Sequence, residues 1–110
     1  QTPPSNSGIT YAGWDRTATP ANSGLTFHHP RRDLMKLSVF NQAATAVSWP
    51  TNPFALTHWR VSFNQQFGQG MVQHGSSGSA LFNQNHRLVG QLHGNQMMFA
   101  DYKELITAGV

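Results

Sequence analysis

Short stretches in which apolar and polar residues alternate recur about every ten residues along the chain, separated by proline, glycine and asparagine. The clearest is 58–63, in which Trp59, Val61 and Phe63 share one face. Alternation with a period of two is typical of a half-buried strand, because successive side chains point to opposite faces of a sheet. Short strands at this spacing predict an all-β, antiparallel barrel or sandwich and argue against a helical bundle.

The pattern predicts about six or seven strands in a single domain that occupies residues 9–110. The predicted strands cover residues 9–14, 25–29, 34–40, 43–49, 58–63, 79–82 and 87–93. Residues 1–8 are polar and contain two prolines, which predicts a tail or linker. The stretch 64–78 is rich in Gln and Gly and predicts a loop, whereas 97–110 fits both a helix and a strand.

The composition and the charge of the chain exclude several classes of partner and site. The 110 residues include seven Lys or Arg, four Asp or Glu and no Cys, which gives a net charge of +3. The net charge is positive because the chain has few acidic residues, and not because basic residues are concentrated on one surface. Nucleic acid is therefore not a predicted partner. The lack of cysteine excludes disulfides, thiolate metal sites and cysteine nucleophiles. No apolar run approaches the ~20 residues of a membrane-spanning helix, so no membrane span is predicted. No stretch has the order of a signal peptide.

Six histidines and three tryptophans raise the alternatives of a metal site and a stacking surface. Neighbouring strand residues point to opposite faces, so His28 and His29 cannot easily share one metal and are predicted to be structural. His58, His74 and His86 lack the spacing of zinc ligands. The sequence therefore predicts no metal and no cofactor. The tryptophans are predicted to fill the core or bury a loop; they are Trp14, Trp49 and Trp59.

The segment 74–80, His-Gly-Ser-Ser-Gly-Ser-Ala, follows a glycine-rich loop and precedes an apolar strand. A nucleophilic serine needs an exposed hydroxyl and nearby N–H groups that stabilise the developing oxyanion. With Ser77 as the nucleophile, the N–H groups of Gly75 and Ser77 would point into one oxyanion hole. The nucleophile elbow Gly-x-Ser-x-Gly is absent, because Ser79 stands where its second glycine would be. On this segment alone, a flexible loop and a catalytic loop both remain open.

Three further segments change that balance: Ala-Gly-Trp-Asp-Arg at 12–16, the stretch 27–38 with its His-His-Pro, and the stretch 81–94 that ends in Gly-Gln-Leu-His-Gly. Together with the serine loop they resemble the second β-barrel of trypsin-fold serine endopeptidases, in particular the bacterial lysyl-endopeptidase-like branch. That branch carries Gly-Trp-Asp-Arg, His-His-Pro followed by an acid and a Lys, Gly-Ser-Ser-Gly-Ser-Pro and Gly-Gln-Leu-His-Gly. The four segments occur in the family's order and span residues 11–94.

The resemblance implies a six- or seven-stranded Greek-key β-barrel, the second barrel of a double-barrel protease. It implies that Ser77 is the nucleophile and that the amides of Gly75 and Ser77 form the oxyanion hole. His93 matches the histidine on the strand beside the primary specificity pocket, and His74 and Gly94 are expected to line the same pocket. Asp33 and Lys36 match the family's loop and are expected to be structural.

The rest of the machinery of this family is not expected in this sequence. In such enzymes the catalytic His and Asp lie in the first barrel, and no Ala-Ala-His segment occurs here. The resemblance therefore implies the C-terminal half of a protease, starting at the inter-barrel linker and inactive alone. Its partners would be its own N-terminal half and a protein or peptide substrate. The family implies a secreted or periplasmic bacterial enzyme.

Some positions depart from the family. Ala80 replaces a proline, and Asn95 replaces the second glycine after His93. Met71 stands where trypsin-like enzymes place the acid at the pocket floor, and Asp101 is the alternative acid. The sequence leaves open whether the enzyme selects lysine, arginine or another side chain. Two other functions also stay open, namely a non-catalytic binding module on a degenerate protease fold and a small basic nucleic-acid-binding barrel.

Overall fold

The computed structural model describes residues 2–49, 52–64, 72–96 and 99–104, with no side chains described for 52–54, 95, 96, 99, 103 and 104. Seven strands and one 3-10 turn make up this part of the chain. The strands are β1 (Gly24–His28), β2 (Lys36–Phe40), β3 (Thr45–Trp49), β4 (Asn52–Ser62), β5 (Ala80–Asn83), β6 (Leu88–Gln96) and β7 (Phe99–Glu104), and the turn is Pro30–Arg32.

All seven strands belong to one sheet in the order β2-β1-β5-β6-β7-β4-β3, and every pair is antiparallel. The hairpins β1–β2 and β3–β4 flank the meander β5–β6–β7, because β1 pairs with β5 and β4 pairs with β7. Long returns of this kind are the mark of a Greek key. Within the described residues, β2 and β3 are the two edges of the hydrogen-bonded sheet. The prediction of an all-β, antiparallel fold with six or seven strands is confirmed.

The core lies on the face that alternation predicted. Trp59, Val61 and Phe63 are all buried, as are Leu81 and Tyr102 on the neighbouring strands. Burying a large apolar side chain contributes roughly 1.5–3 kcal/mol. These side chains form one buried cluster that holds together β4, β7 and β5, the strand that follows the serine loop.

The predicted strand 9–14 is wrong. Of its residues only Trp14 has a ladder partner, a parallel bridge to Leu88. Ile9 and Tyr11 are exposed, so the alternating apolar residues have no sheet to cover here. Trp14 is 59% exposed, so the prediction that it is buried is also wrong. Trp59 is buried as predicted, and Trp49 is half-buried against a histidine described below.

The strand bounds differ from prediction at two places where short-range signals compete. β4 begins at Asn52 and runs through Pro53, although the prolines there predicted an end to the preceding strand and a start only at 58. Of the ambiguous stretch 97–110, the part 99–104 is strand β7, and residues 105–110 lie outside the described residues. In the part of the chain that the structure describes, no helix has the length and apolar character needed to cross a membrane.

Candidate active site

The serine loop 72–79 enters β5 through two consecutive turns. The amide of Ser76 donates to the carbonyl oxygen of Gln73 at 2.9 Å, and the amide of Ser79 donates to that of Ser76 at 3.1 Å. Reciprocal bonds tie the end of the loop to β6, from Gly78 N–H to Leu92 O and from Leu92 N–H to Ser79 O, both at 2.9 Å. The loop is therefore fixed at its base, and its tip carries Ser77.

Ser76 and Ser77 point in opposite directions. Ser76 is buried and Ser77 is exposed. Among the described residues, the amides of Gly75 and Ser77 donate no hydrogen bond, whereas those of Ser76 and Ser79 close the two turns. Two free N–H groups beside an exposed hydroxyl are the arrangement that an oxyanion hole requires.

Gly75 is held in a backbone conformation that other residues rarely adopt, with φ at +100°. A Cβ atom there would lie 2.7 Å from the carbonyl oxygen of His29. The loop approaches the segment after β1 closely at this point, and the amide of Arg31 donates to the carbonyl oxygen of His74. Glycine is required at 75 both by the φ angle and by the space.

A cavity of about 160 Å³ opens in front of Ser77. The residues that line it are Val72, Gln73, His74, Ser77, Leu92, His93 and Gly94. The structure thus brings together four of the predicted site residues, namely Ser77, His74, His93 and Gly94. Gly75 lies in the same loop, while the predicted Met71 and the side chain of Asn95 lie outside the described residues.

His93 belongs to a stack of three rings beside this cavity. Its imidazole lies on the indole of Trp49, with ring centroids 3.8 Å apart and planes inclined by 14°. Its Nδ1 lies 2.8 Å from Nε2 of the buried His58, so one of the two donates a hydrogen bond. His58 Nδ1 in turn lies 2.8 Å from Oγ1 of Thr57. These contacts orient the exposed ring of His93 at the cavity edge.

His28 lies behind the serine loop. Its Nδ1 is 2.8 Å from Oγ of Ser76, and its Nε2 is 2.9 Å from Oγ of Ser38. Burial lowers the pKa of His28, and the nearby charge of His29 lowers it further. His29 is exposed and its Nδ1–H donates to the carbonyl oxygen of Asp33. The two neighbouring histidines therefore face opposite sides, as expected.

Asp101 is not among the residues that line the cavity. It is completely buried between β4 and β7, where its two carboxylate oxygens accept hydrogen bonds from Arg60 Nε at 2.8 Å and Nη2 at 2.9 Å. These bonds raise the pKa of Arg60. The structure thus places the alternative pocket acid in an ion pair within the sheet.

The sequence of the chain identifies its family. The sequence matches the lysyl endopeptidase, C-terminal domain, family over residues 1–102. The chain belongs to this family.

The fold is that of the C-terminal half of a trypsin-like protease. A similar solved structure is that of Rv3671c from M. tuberculosis H37Rv, a serine-to-alanine mutant in an inactive form. The TM-score is 0.64 at 12% sequence identity, and the match covers 96% of this chain and 53% of that one. At this identity the likeness concerns the fold alone. The chain spans about half the length of that structure.

The sequence did not reveal several neighbours of the candidate site. The sequence offers His58 only as a candidate zinc ligand and Trp49 as a stacking residue or one that fills the core or buries a loop, and neither pattern predicts that both contact His93. The sequence predicts a structural role for His28 but names no partner; its partners are Ser38, 10 residues away, and Ser76, 48 residues away. The alternation of β1 in the sequence does not reveal that His28 faces inward, because it sets the apolar Leu25 and Phe27 against Thr26 and His28, and in the structure Thr26 and His28 are buried while Phe27 is exposed. No local pattern names Ser76.

Proposed function

We propose that the chain is the C-terminal half of a serine endopeptidase in which Ser77 is the nucleophile. One observation carries this proposal: the Ser77 hydroxyl is exposed at a cavity, and the flanking amides of Gly75 and Ser77 have no hydrogen-bond acceptor among the described residues. In this mechanism Ser77 Oγ attacks the scissile carbonyl carbon, and the two amides donate to the oxyanion that forms. The tetrahedral intermediate then expels the amine, and water hydrolyses the acyl-enzyme.

The general base belongs to a partner surface, namely the N-terminal half of the same protease. Among the described residues, no histidine forms a hydrogen bond with the Ser77 hydroxyl. His93 is bound to His58, and His28 is bound to Ser76. A histidine from the N-terminal half, oriented by an aspartate of that half, takes the proton of Ser77 and passes it to the leaving amine.

The substrate is a peptide or protein chain. Because the family takes its name from lysyl endopeptidase, lysine is the first side chain to test at the position just before the scissile bond. His93, His74 and Gly94 line the pocket that receives the substrate side chain. The family also favours an enzyme that acts outside the cell or in the periplasm. Asp101 is assigned to its ion pair with Arg60 rather than to cation recognition.

The test is labelling of the protein that contains this chain together with its N-terminal half, with a fluorophosphonate and peptide mapping by mass. We expect the added mass on Ser77, its loss in Ser77→Ala, and its retention in Ser79→Ala, which removes a hydroxyl from the same loop. An assembled protein in which Ser77 stays unlabelled contradicts the proposal and favours a binding module without catalysis.

A further inference from the structure

The imidazole of His28 is enclosed between two serine hydroxyls. All three side chains are buried, with exposed fractions of 2% for His28, 1% for Ser76 and 2% for Ser38. A buried imidazole needs a partner on each nitrogen, since an unpaired buried polar group is costly. Both nitrogens of His28 have a partner. One serine hydroxyl donates to the unprotonated nitrogen, and the other accepts from the protonated nitrogen. The ring is therefore held from the serine loop on one side, through Ser76, and from β2 on the other, through Ser38.

The backbone around His28 is shaped to the serine loop as well. Arg31 and Arg32 both have positive φ angles, 55° and 61°, which are rare for residues other than glycine. Their segment supplies the amide that binds His74 O and the carbonyl against which Gly75 lies. Strained conformations persist only where the surrounding structure enforces them, and they concentrate at functional sites. The segment 28–32 and the loop 74–77 thus form one interlocked unit.

Within this unit the bond from His28 acts on the residue next to the nucleophile. Ser76 points inward and Ser77 points outward from adjacent positions of one turn. Holding the Ser76 side chain fixes the peptide that joins the two serines, which sets the direction of both the Ser77 hydroxyl and its N–H. A displacement of about 1 Å in a reacting group can cost on the order of 100-fold in rate.

We propose that His28 is a positioning residue for the nucleophile: held by Ser38, it binds the Ser76 hydroxyl and thereby orients Ser77 and its amide. This inference rests on the proposed role of Ser77. His28 touches no substrate in this arrangement and takes no proton from Ser77.

Two substitutions of His28 by an amide residue each keep one of the two hydrogen bonds of the ring and remove the other. An asparagine at 28 places its amide near the position of Nδ1, so His28→Asn keeps a partner for Ser76 and loses Ser38. A glutamine places its amide near Nε2, so His28→Gln keeps Ser38 and loses Ser76. His86→Gln is the matched control, because His86 is exposed and lies in the turn between β5 and β6, outside the segment 28–32 and the serine loop.

The experiment uses the protein with its N-terminal half and measures kcat and KM on a peptide ester, the rate of fluorophosphonate labelling of Ser77, and thermal unfolding. We expect His28→Gln and Ser76→Ala to lower kcat and the labelling rate by about 10- to 100-fold with little change in KM. His28→Asn retains most of the labelling rate, and His86→Gln matches the wild type. The His28→Gln/Ser76→Ala double variant loses no more than Ser76→Ala alone, because both remove the same bond.

Three results overturn the inference. The first is a labelling rate for His28→Gln within about twofold of the wild type, well inside the loss expected of a misplaced nucleophile. The second is an Asn variant as slow as the Gln variant at equal folded fraction, which reduces His28 to a packing residue. The third is a wild-type protein that is not labelled at Ser77, which removes the proposed function itself. If the wild type is labelled at Ser77 and the His28 and Ser76 variants are labelled at the same rate, the proposed function stands and only the positioning role of His28 is contradicted.

Discussion

At the scale of single residues, two glycines flank the proposed nucleophile Ser77, and their need to lack a side chain differs. Gly75 and Gly78 both have positive φ angles, 100° and 81°. A Cβ on Gly75 would lie 2.7 Å from His29 O and 3.0 Å from Arg32 N, which are backbone atoms that cannot rotate away. A Cβ on Gly78 would meet nothing within 4 Å. Only Gly75 therefore combines conformational strain with lack of space.

This difference predicts unequal costs for the same substitution. Gly78→Ala should destabilise the fold by about 1–2 kcal/mol, the cost of a left-handed conformation. Gly75→Ala should lose roughly a further 1–3 kcal/mol from overlap with the segment after β1, and Ser77 should become unreactive toward a fluorophosphonate. Denaturant unfolding of the two variants, beside the labelling assay, measures both effects. Equal losses of stability in the two variants would contradict this prediction, because they would show that the loop accommodates a Cβ at position 75 without displacing residues 29–32.

At the scale of elements, the pairing of β4 with β7 contains the ion pair of Arg60 and Asp101. The two residues are opposite each other in the register, and Asp101 is completely buried while the Arg60 side chain is 27% exposed. Removing one partner of a buried pair leaves an uncompensated charge, which is costly. The pair therefore holds the two strands in one register next to the wall of the cavity.

Arg60→Ala should destabilise the fold by about 3–5 kcal/mol, because it leaves the buried carboxylate of Asp101 without the charge that compensates it. Arg16→Ala, which removes an exposed arginine, should change stability by less than about 0.5 kcal/mol. Asp101→Asn should also weaken the fold but leave the ratio of lysyl to leucyl ester hydrolysis unchanged in the assembled enzyme. A selective loss of lysyl hydrolysis in Asp101→Asn would instead make Asp101 a substrate-binding residue.

At the scale of the whole molecule, large apolar side chains remain on the surface. Those exposed in the described residues are Ile9, Tyr11, Trp14, Phe27, Leu34, Met35, Leu37 and Leu56. Phe27 and Leu37 are opposite each other on β1 and β2, so part of this set is contiguous. Large exposed apolar patches mark surfaces that are covered in an assembly. An N-terminal half that supplies the general base is the expected cover.

Residues 1–110 purified alone should hydrolyse no peptide ester and should self-associate, since they present a nucleophile without a base and an uncovered apolar surface. Sedimentation velocity measures the association, and ester turnover measures the activity. Addition of the N-terminal half should convert the sample to a single complex that reacts at Ser77. Ser77-dependent turnover by the isolated chain would show that it contains its own base.

Much of this architecture could be predicted from local pattern, because strand faces follow a period of two. Trp59, Val61 and Phe63 were placed correctly in this way, whereas 9–14 shows the same alternation without a sheet to pack on. The serine loop could be found because its glycines and serines are contiguous. The links of Ser76 to His28 and of His93 to His58 could not, since they depend on which strands become neighbours, a property that no short window of sequence contains.

The pairing of β1 with β5 also sets an order in time. β1 can meet β2 as soon as both have left the ribosome, but its second neighbour is translated dozens of residues later. Closing so long a loop is entropically unfavourable until the later strand offers contacts in return. Ser76 can bind His28 only after the serine loop has been translated and β5 has paired with β1, which is later than the β1–β2 hairpin can form. Until then, a growing chain would carry Ser77 without the contact that we propose to orient it.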